Sequence, residues 1–212
     1  MGPRRRHFSM IRDFRLPDLL TLCNGCTGAG ALLAFMRYVA DGNVAAFWLG
    51  AALLPVALIM DILDGRVARW RHEASPFGQE LDSLADAVSF GVAPAAMGFA
   101  AGMRGGLDAP FLIYFVGCGI SRLARYNVTA DEVTEAAADP GAAKVTHFEG
   151  LPIPSSLLLV VLLAVLAATG HWQENLPFGS IRLGPLTLHP IVGLYFLHGS
   201  AMISKTLRIP KP

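Results

Sequence analysis

Four aspartates, Asp61, Asp64, Asp82 and Asp86, lie within 26 residues and carry the strongest chemical signal in the chain. Asp61 and Asp64 are three residues apart and Asp82 and Asp86 are four apart, so on helices each pair shares one face. Both pairs adjoin long apolar stretches, where charged groups are costly and usually face a bundle interior. Four like charges brought together need positive counter-charge. The spacing therefore predicts a metal site at a membrane boundary.

The chemistry of this site follows from its ligands. Carboxylate oxygens suit hard cations such as Mg²⁺ or Mn²⁺ better than zinc. Bridging carboxylates can hold two such ions about 4 Å apart, an arrangement used for in-line displacement at phosphorus. We predict two divalent cations, Mg²⁺ or Mn²⁺, held by all four aspartates. The alternative is that the aspartates only pair with Arg66, Arg69 and Arg71 in a solvated loop.

Small residues between the two pairs leave room for a ligand. Gly65, Ala68 and Gly78 allow a substrate to approach the backbone, and Arg69 is placed to meet a phosphate. A metal pair with an arginine, facing water at one end and lipid at the other, suits a substrate that has a diphosphate and acyl chains.

The elements that hold these residues are predicted to be membrane helices. Of 212 residues, 53% are hydrophobic and 16% charged, and the mean hydropathy of +0.48 excludes an ordinary soluble domain. The net charge of +1 indicates no nucleic-acid partner. Six stretches are long enough to cross a bilayer, the fourth only if it carries Arg122 and Arg125 inward. They are 19–36, 44–60, 87–103, 109–121, 151–170 and 186–204.

We therefore predict an all-α integral membrane protein with six transmembrane helices. Residues 16–212 form its single membrane domain, and residues 1–15 a basic juxtamembrane segment. Residues 1–15 fit either an interfacial amphipathic helix attracted to anionic lipids or an ordinary positively charged flank.

The orientation follows from lysine and arginine. With the N-terminus inside, 14 of the 17 basic residues lie in cytoplasmic segments. We expect both termini and the aspartate site on the cytoplasmic side of a prokaryotic cytoplasmic (inner) membrane.

The spacing of the aspartates also matches a known family. The pattern D-x2-D-G-x2-A-R-x8-G-x3-D-x3-D is met at every position from Asp61 to Asp86. This resembles the signature of the CDP-alcohol phosphatidyltransferases, and the resemblance covers nearly the whole chain. It implies six transmembrane helices, a homodimer, and metal-dependent displacement of CMP from a CDP-linked donor by an alcohol. By this resemblance, Gly65, Ala68, Arg69 and Gly78 bind CDP-diacylglycerol.

Three further stretches resemble the membrane-bound phosphatidylserine synthases, one branch of that family. They are 81–94, 121–127 and 148–154. The resemblance implies transfer of a phosphatidyl group from CDP-diacylglycerol to L-serine, giving phosphatidylserine and CMP. Two alternatives stay open. One is the same chemistry with glycerol 3-phosphate or an inositol phosphate, and the other is a small ion-coupled transporter.

Arg122 and Arg125 are the candidates for the acceptor. They are three residues apart on one helix face and offer bidentate donors to the serine carboxylate and the lipid phosphate. Their alternative role is to anchor the cytoplasmic end of the helix.

Thr21 and Asn24 share a face of the first helix and are predicted to line the donor pocket. This helix resembles the family pattern Pro-Asn-x-x-Thr-x-x-Asn, with Asp18 in place of the first asparagine. Such polar residues also serve as interhelical hydrogen bonds. Asp61, Asp64 and Asp82 are predicted as the principal metal ligands. Asp86 is predicted to touch the second metal and to act as the general base for the serine hydroxyl.

Overall fold

The computed structural model describes residues 14–71, 75–136, 147–204 and 208–210, and in these ranges the chain is mainly helical. The predicted interfacial helix within residues 1–15 lies mostly outside them. The helices are α1 (Leu16–Asp41), α2 (Val44–Arg71), α3 (Pro76–Asp86), a π-helix (Ala87–Val92), α4 (Ala93–Ala101), α5 (Asp108–Ala136), α6 (Leu157–Ala168) and α7 (Gly193–Ile203).

Short 3₁₀ segments and strands connect these helices. The 3₁₀ segments are Ile153–Ser156, which leads into α6, Gln173–Asn175, and Pro190–Val192, which leads into α7. Strands β2 (Ile181–Leu183) and β3 (Leu186–Leu188) form an antiparallel hairpin. Strand β1 (His147–Glu149) pairs antiparallel with β4 (Arg208–Pro210).

Local sequence signals set the C-terminal end of α1 and the start of α3. α1 ends at Gly42, whose φ of 72° is left-handed and whose N–H donates to Tyr38 O. α3 begins after Ser75, whose Oγ accepts from the N–H of Gly78 at 3.0 Å, and Pro76 occupies its first position. These signals place the start of α3 a few residues after the end of α2.

The membrane class is confirmed by the length and hydropathy of the helices. Three helical spans, Leu16–Asp41, Val44–Arg71 and Pro76–Ala101, are long and apolar enough to cross a bilayer. Ile153–Ala168 and Pro190–Ile203 are shorter apolar helices. The remaining predicted segment, 109–121, lies within α5. Each of the six predicted segments thus overlaps a helix, and the count of six crossings stays a prediction for the last three.

The core is built around α1 and the helix formed by α3, the π-helix and α4. α1 packs along α2 and also contacts α3, the π-helix and α4. Phe90, Met97 and Phe115 are fully buried in this core. At the end of the bundle away from the aspartates, Gln173 Nε2 donates to Tyr38 Oη at 2.9 Å. α1 is therefore held against α3 at one end and against the segment after α6 at the other.

Candidate active site

Three of the four predicted aspartates come together between α2 and α3. One carboxylate oxygen from each of Asp61, Asp64 and Asp82 lies within 4.8 Å of the other two. Asp64 is buried, whereas Asp61 and Asp82 are partly exposed. The i, i+3 spacing on α2 aims Asp61 and Asp64 to one side, where α3 supplies Asp82. We call these three residues the carboxylate trio.

The carboxylate trio fits a hard divalent cation. Its donors are all oxygens, which Mg²⁺ and Mn²⁺ prefer. Asp82 Oδ1 is buried and has no hydrogen-bond partner among the described residues, and a buried acceptor left in that state is costly. The ion pair Arg37–Asp41 and the contact between His189 and Asp108 lie elsewhere in the chain. A cation at the trio would coordinate the unpaired oxygen and would offset the repulsion between the carboxylates.

α1 supports two aspartates that belong to different helices. Thr21 Oγ1 donates to Asp64 Oδ2 at 2.6 Å, and Asn24 Nδ2 donates to Asp86 Oδ1 at 3.0 Å. Thr21 and Asn24 are one turn apart, so a single face of α1 fixes both carboxylates. Thr21 also lines the pocket described below, whereas Asn24 is completely buried. Their predicted contact with the donor nucleotide stays a prediction.

Asp86 lies next to the carboxylate trio and is not a member of it. It follows Asp82 by one helical turn and is 6% exposed. Its Oδ1 is occupied by the hydrogen bond from Asn24, while Asn24 Oδ1 has no partner among the described residues. The trio has the ligands to hold one metal ion, and the role of Asp86 at a second metal stays a prediction.

A pocket of about 380 Å³ opens beside Asp64 and Asp82. Five of the six residues predicted to bind the CDP-linked donor line it, and the sixth, Asn24, does not. The five are Thr21, Gly65, Ala68, Arg69 and Gly78. The pocket thus places an exposed guanidinium, that of Arg69, close to the carboxylate trio. An anion that bridges Arg69 and a trio-bound cation would be held from two sides.

Gly78 allows α3 to approach α1 closely at the wall of this pocket. A Cβ atom at position 78 would lie 2.9 Å from Asp18 Oδ1 and 3.1 Å from Ser75 Oγ. Asp18 is itself fixed, because its Oδ2 accepts from the N–H of Arg15 at 2.9 Å. The departure from the family pattern at Asp18 therefore produces a cap for α1 and a wall of the pocket.

Arg122 and Arg125 have different partners although they share a helix face. The guanidinium of Arg122 lies 5.5 Å from the ring centroid of Tyr126, and Arg122 interacts electrostatically with Asp86. Arg125 Nη1 donates to the carbonyl oxygen of Ile203 at 3.4 Å, at the end of α7. Arg122 therefore lies beside Tyr126 and within electrostatic range of Asp86, and Arg125 joins α5 to α7.

Sequence reasoning missed several supporting residues. Tyr126 and Gln79 line the pocket. Asn127 Nδ2 donates to Ser83 Oγ at 3.0 Å, which joins α5 to α3. The π-helix begins directly after Asp86. Their position in the sequence could have identified three of them, because Ser83, Tyr126 and Asn127 all lie in stretches that resemble the phosphatidylserine synthases.

Comparison with known proteins identifies the family. The sequence profile of the CDP-alcohol phosphatidyltransferases matches residues 14–190, which include α1, all four aspartates and both arginines of α5. The chain belongs to this family. The prediction of family membership is confirmed, and with it the prediction that the chain is an enzyme.

The relatives agree on the branch. CDP-diacylglycerol–serine O-phosphatidyltransferase of Saccharomyces cerevisiae is 44% identical over 207 residues, covering 97% of this chain and 74% of the relative. The Helicobacter pylori (strain J99) protein of the same name is 41% identical over 135 residues, 61% of this chain and 51% of the relative. Archaetidylserine synthase of Methanothermobacter thermautotrophicus is 35% identical over 166 residues, 75% of this chain and 60% of the relative. The predicted resemblance to the phosphatidylserine synthases is confirmed.

The chain spans about half to three quarters of the length of these relatives. Among solved structures, phosphatidylinositol phosphate synthase of Mycobacterium tuberculosis with CDP-DAG bound gives a TM-score of 0.44 at 22% identity, covering 92% of this chain and 84% of that one. A likeness this distant supports no statement about individual residues.

Proposed function

We propose that this chain transfers the phosphatidyl group of CDP-diacylglycerol to the hydroxyl of L-serine, releasing CMP and forming phosphatidylserine. The observation that carries the proposal is the carboxylate trio, with its unpaired Asp82 oxygen, beside a pocket that also holds Arg69. Serine as the acceptor is supported by the similarity to the yeast enzyme over 97% of the chain.

A divalent cation would be held by Asp61, Asp64 and Asp82, and Asp86 would contact a second one. Bound there, the cations would offset charge on the diphosphate oxygens and on the departing CMP. Either Mg²⁺ or Mn²⁺ fits an all-carboxylate site.

The donor would occupy the pocket between α1, α2 and α3. Gly65, Ala68 and Gly78 carry little or no side chain there, so the nucleotide and diphosphate can approach the helix backbones. Arg69 would donate hydrogen bonds to phosphate oxygens, since its fork of N–H groups matches that geometry. The lipid end of the donor would lie along the apolar exterior of the bundle.

The acceptor would bind on the α5 side of the aspartates. Arg122 is half-buried and electrostatically coupled to Asp86, so its guanidinium would hold the serine carboxylate while the hydroxyl points to Asp86. Arg125 would contribute to the same region by fixing α5 against α7, with its remaining N–H groups available to the lipid phosphate.

In the reaction, the serine hydroxyl oxygen forms a bond to the lipid-side phosphorus. The bond between that phosphorus and the oxygen that bridges to CMP breaks, and the bonding electrons leave with CMP. Asp86 takes the hydroxyl proton through Oδ2, because Asn24 already donates to Oδ1. Arg69 stabilises the phosphoryl oxygens as charge spreads over them.

The protein would work as a homodimer with its site on the cytoplasmic side of the membrane. The excess of basic residues in the segments on that side supports the orientation. The predicted prokaryotic inner membrane stays a prediction, and the yeast relative shows that similar proteins also occur in a eukaryote.

The test is CMP release by the detergent-solubilised chain with CDP-diacylglycerol, Mn²⁺ or Mg²⁺, and one acceptor at a time. We expect release with L-serine, and loss of that release with EDTA. Release only with glycerol 3-phosphate or an inositol phosphate would keep the chemistry and reject serine. The absence of CMP release with every acceptor, in protein shown to be folded, would reject the proposal.

The metal site has its own measurement. Adding Mn²⁺ should raise the Tm of the chain, because a ligand that binds only the folded state stabilises it, by about 2.7 kcal/mol at 100 times its Kd. Asp82→Asn should remove both the shift and the activity. Asp41→Asn, at an exposed ion pair on α1, is the matched control and should keep both.

A further inference from the structure

Ser89 is a completely buried polar residue for which the proposed reaction gives no role. It lies in the π-helix, three residues after Asp86, in the stretch 81–94 that resembles the phosphatidylserine synthases. Its Oγ donates to the backbone carbonyl of Asn24 at 3.0 Å. Ser89 therefore contacts the same residue of α1 that holds the Asp86 carboxylate.

Asn24 is attached at two points to the segment that begins with Asp86. Its side chain donates to Asp86 Oδ1, and its carbonyl accepts from Ser89. With one bond the Asn24 amide could follow a shift of α1 along α3. Two hydrogen bonds, to residues three apart on the same segment, fix the position of Asn24 along the helix axis relative to Asp86.

Glycines on α1 allow it to approach the π-helix closely at Ser89. A Cβ atom at Gly28, one turn after Asn24, would clash with Ser89 Oγ and lie 2.7 Å from Ser89 Cα. A Cβ atom at Gly25 would lie 3.3 Å from Ala85 Cβ. Small residues thus bring the two helices together at Ser89, and any larger residue at position 28 would displace it.

The π-helix separates this arrangement from the apolar half of the same span. It occupies Ala87–Val92, and regular α-helix resumes at Ala93. A π-turn holds more residues than an α-turn, so it changes the rotational register between the parts of a helix on its two sides. The part with Asp82 and Asp86 can follow α1, while the part after Val92 packs in the core.

We propose that Ser89 is a positioning residue for the transfer reaction: through the Asn24 carbonyl it fixes the Asn24 amide, which sets the orientation of the Asp86 carboxylate. Ser89 is fully buried and does not touch substrate, so it acts through Asn24 and Asp86. This inference rests on the proposed function. It predicts an effect on kcat with the binding of donor and acceptor preserved.

The experiment measures kcat and both KM values for Ser89→Ala, Asn24→Ala and the double variant, with Tm for each. Ser89→Ala should lower kcat about tenfold with both KM values nearly unchanged, because small displacements of a reacting group cost that much or more. In the Asn24→Ala background, Ser89→Ala should lower kcat no further, since the amide is already gone. The drop in Tm caused by Ser89→Ala should persist there, since the backbone carbonyl remains.

Ser156→Ala is the matched control, because Ser156 is also fully buried and its hydroxyl has no partner among the described residues. It should keep the kcat of the unaltered chain, and an equal loss in this variant would overturn the inference. A normal kcat for Ser89→Ala, or a loss that adds fully to that of Asn24→Ala, would also overturn it. If the unaltered chain releases no CMP, the proposed function fails and the inference fails with it.

Discussion

Asp86 differs from the other three aspartates in its hydrogen-bond partner. Asp64 is held by a hydroxyl and Asp82 Oδ1 is buried without a partner among the described residues, whereas Asp86 receives an amide N–H from Asn24. The hydrogen bond from Asn24 to Oδ1 leaves Asp86 Oδ2 available to take a proton. This difference in partners supports the proposal that Asp86 is the general base.

Asp86→Asn tests this proposal. The new side chain keeps an oxygen that can accept from Asn24, so the contact between α1 and α3 is preserved. It cannot take a proton, and loss of a general base costs about 10²–10⁴-fold in rate. We expect kcat to fall by about that factor while Tm stays close to that of the unaltered chain, measured by CMP release and by thermal unfolding in detergent. Residual activity within about tenfold of the unaltered chain would remove Asp86 as the base.

Arg122 and Arg125 form a matched pair for the acceptor. Arg122→Ala should raise the KM for serine much more than the KM for CDP-diacylglycerol, by about tenfold or more, since charged hydrogen bonds contribute about 1.5–3 kcal/mol. Arg125→Ala removes the bond to Ile203 O and should mainly lower Tm. Steady-state kinetics with each substrate varied in turn distinguishes them. Equal increases in both KM values for Arg122→Ala would contradict the predicted serine contact.

At the residue scale, the sequence predicted which residues form the site and which helix faces they share, but not their hydrogen-bond partners. The i, i+3 and i, i+4 spacings placed the four carboxylates on common faces, and three of them converge. The same rule placed Thr21 and Asn24 on one face of α1. Spacing carries no information about the neighbouring helix, so it could not show that Thr21 reaches Asp64 while Asn24 reaches Asp86. The separation of Asp86 from the trio has the same origin.

The start of α3 is the element that sets the width of the donor pocket. Gly78→Ala would place a Cβ 2.9 Å from Asp18 Oδ1 and 3.1 Å from the capping Ser75 Oγ. α3 would have to move away from α1, at a cost of about 1–3 kcal/mol. We expect a lower Tm and a higher KM for CDP-diacylglycerol, with the KM for serine little changed.

Gly30→Ala is the control for this prediction. A Cβ at position 30 would meet only Leu53 Cδ1 at 3.5 Å, an ordinary contact between α1 and α2. Replacing a helical glycine with alanine there should leave activity unchanged and keep or raise Tm. A Gly78→Ala variant that behaves in the same way would show that the close approach to Asp18 has no consequence.

At the element scale, hydropathy predicted the helices but not their irregular turns. The predicted segment 87–103 overlaps a longer span that starts earlier, at Pro76, and ends at Ala101. Nothing in its composition distinguishes the π-helix at Ala87–Val92 from an α-helix, and its contact with α1 joins residues that are far apart in the sequence. The strand pairs were not predicted either, since each strand has only three residues.

At the scale of the whole molecule, the bundle has two chemically different ends. The carboxylate trio belongs to one end, together with Arg66, Arg69 and Arg71 of α2, and the segment after α6 belongs to the other, where Gln173 bonds to Tyr38. The distribution of lysine and arginine predicts the cytoplasmic side for the first end. The sequence is sufficient for this prediction because the rule counts lysine and arginine in the segments that flank each span and needs no knowledge of packing.

Two exposed aromatic residues allow the orientation to be measured. Trp70, near the end of α2, is 80% exposed, and Phe178, between α6 and α7, is 85% exposed. In a chain whose native cysteines, Cys23, Cys26 and Cys118, are replaced by alanine, Phe178→Cys should react with a membrane-impermeant maleimide added to sealed, right-side-out vesicles. Trp70→Cys should react only after the vesicles are opened, because it lies at the end that carries the aspartates. Labelling of Trp70→Cys in intact vesicles, with Phe178→Cys protected, would reverse the orientation and place the site on the outer face.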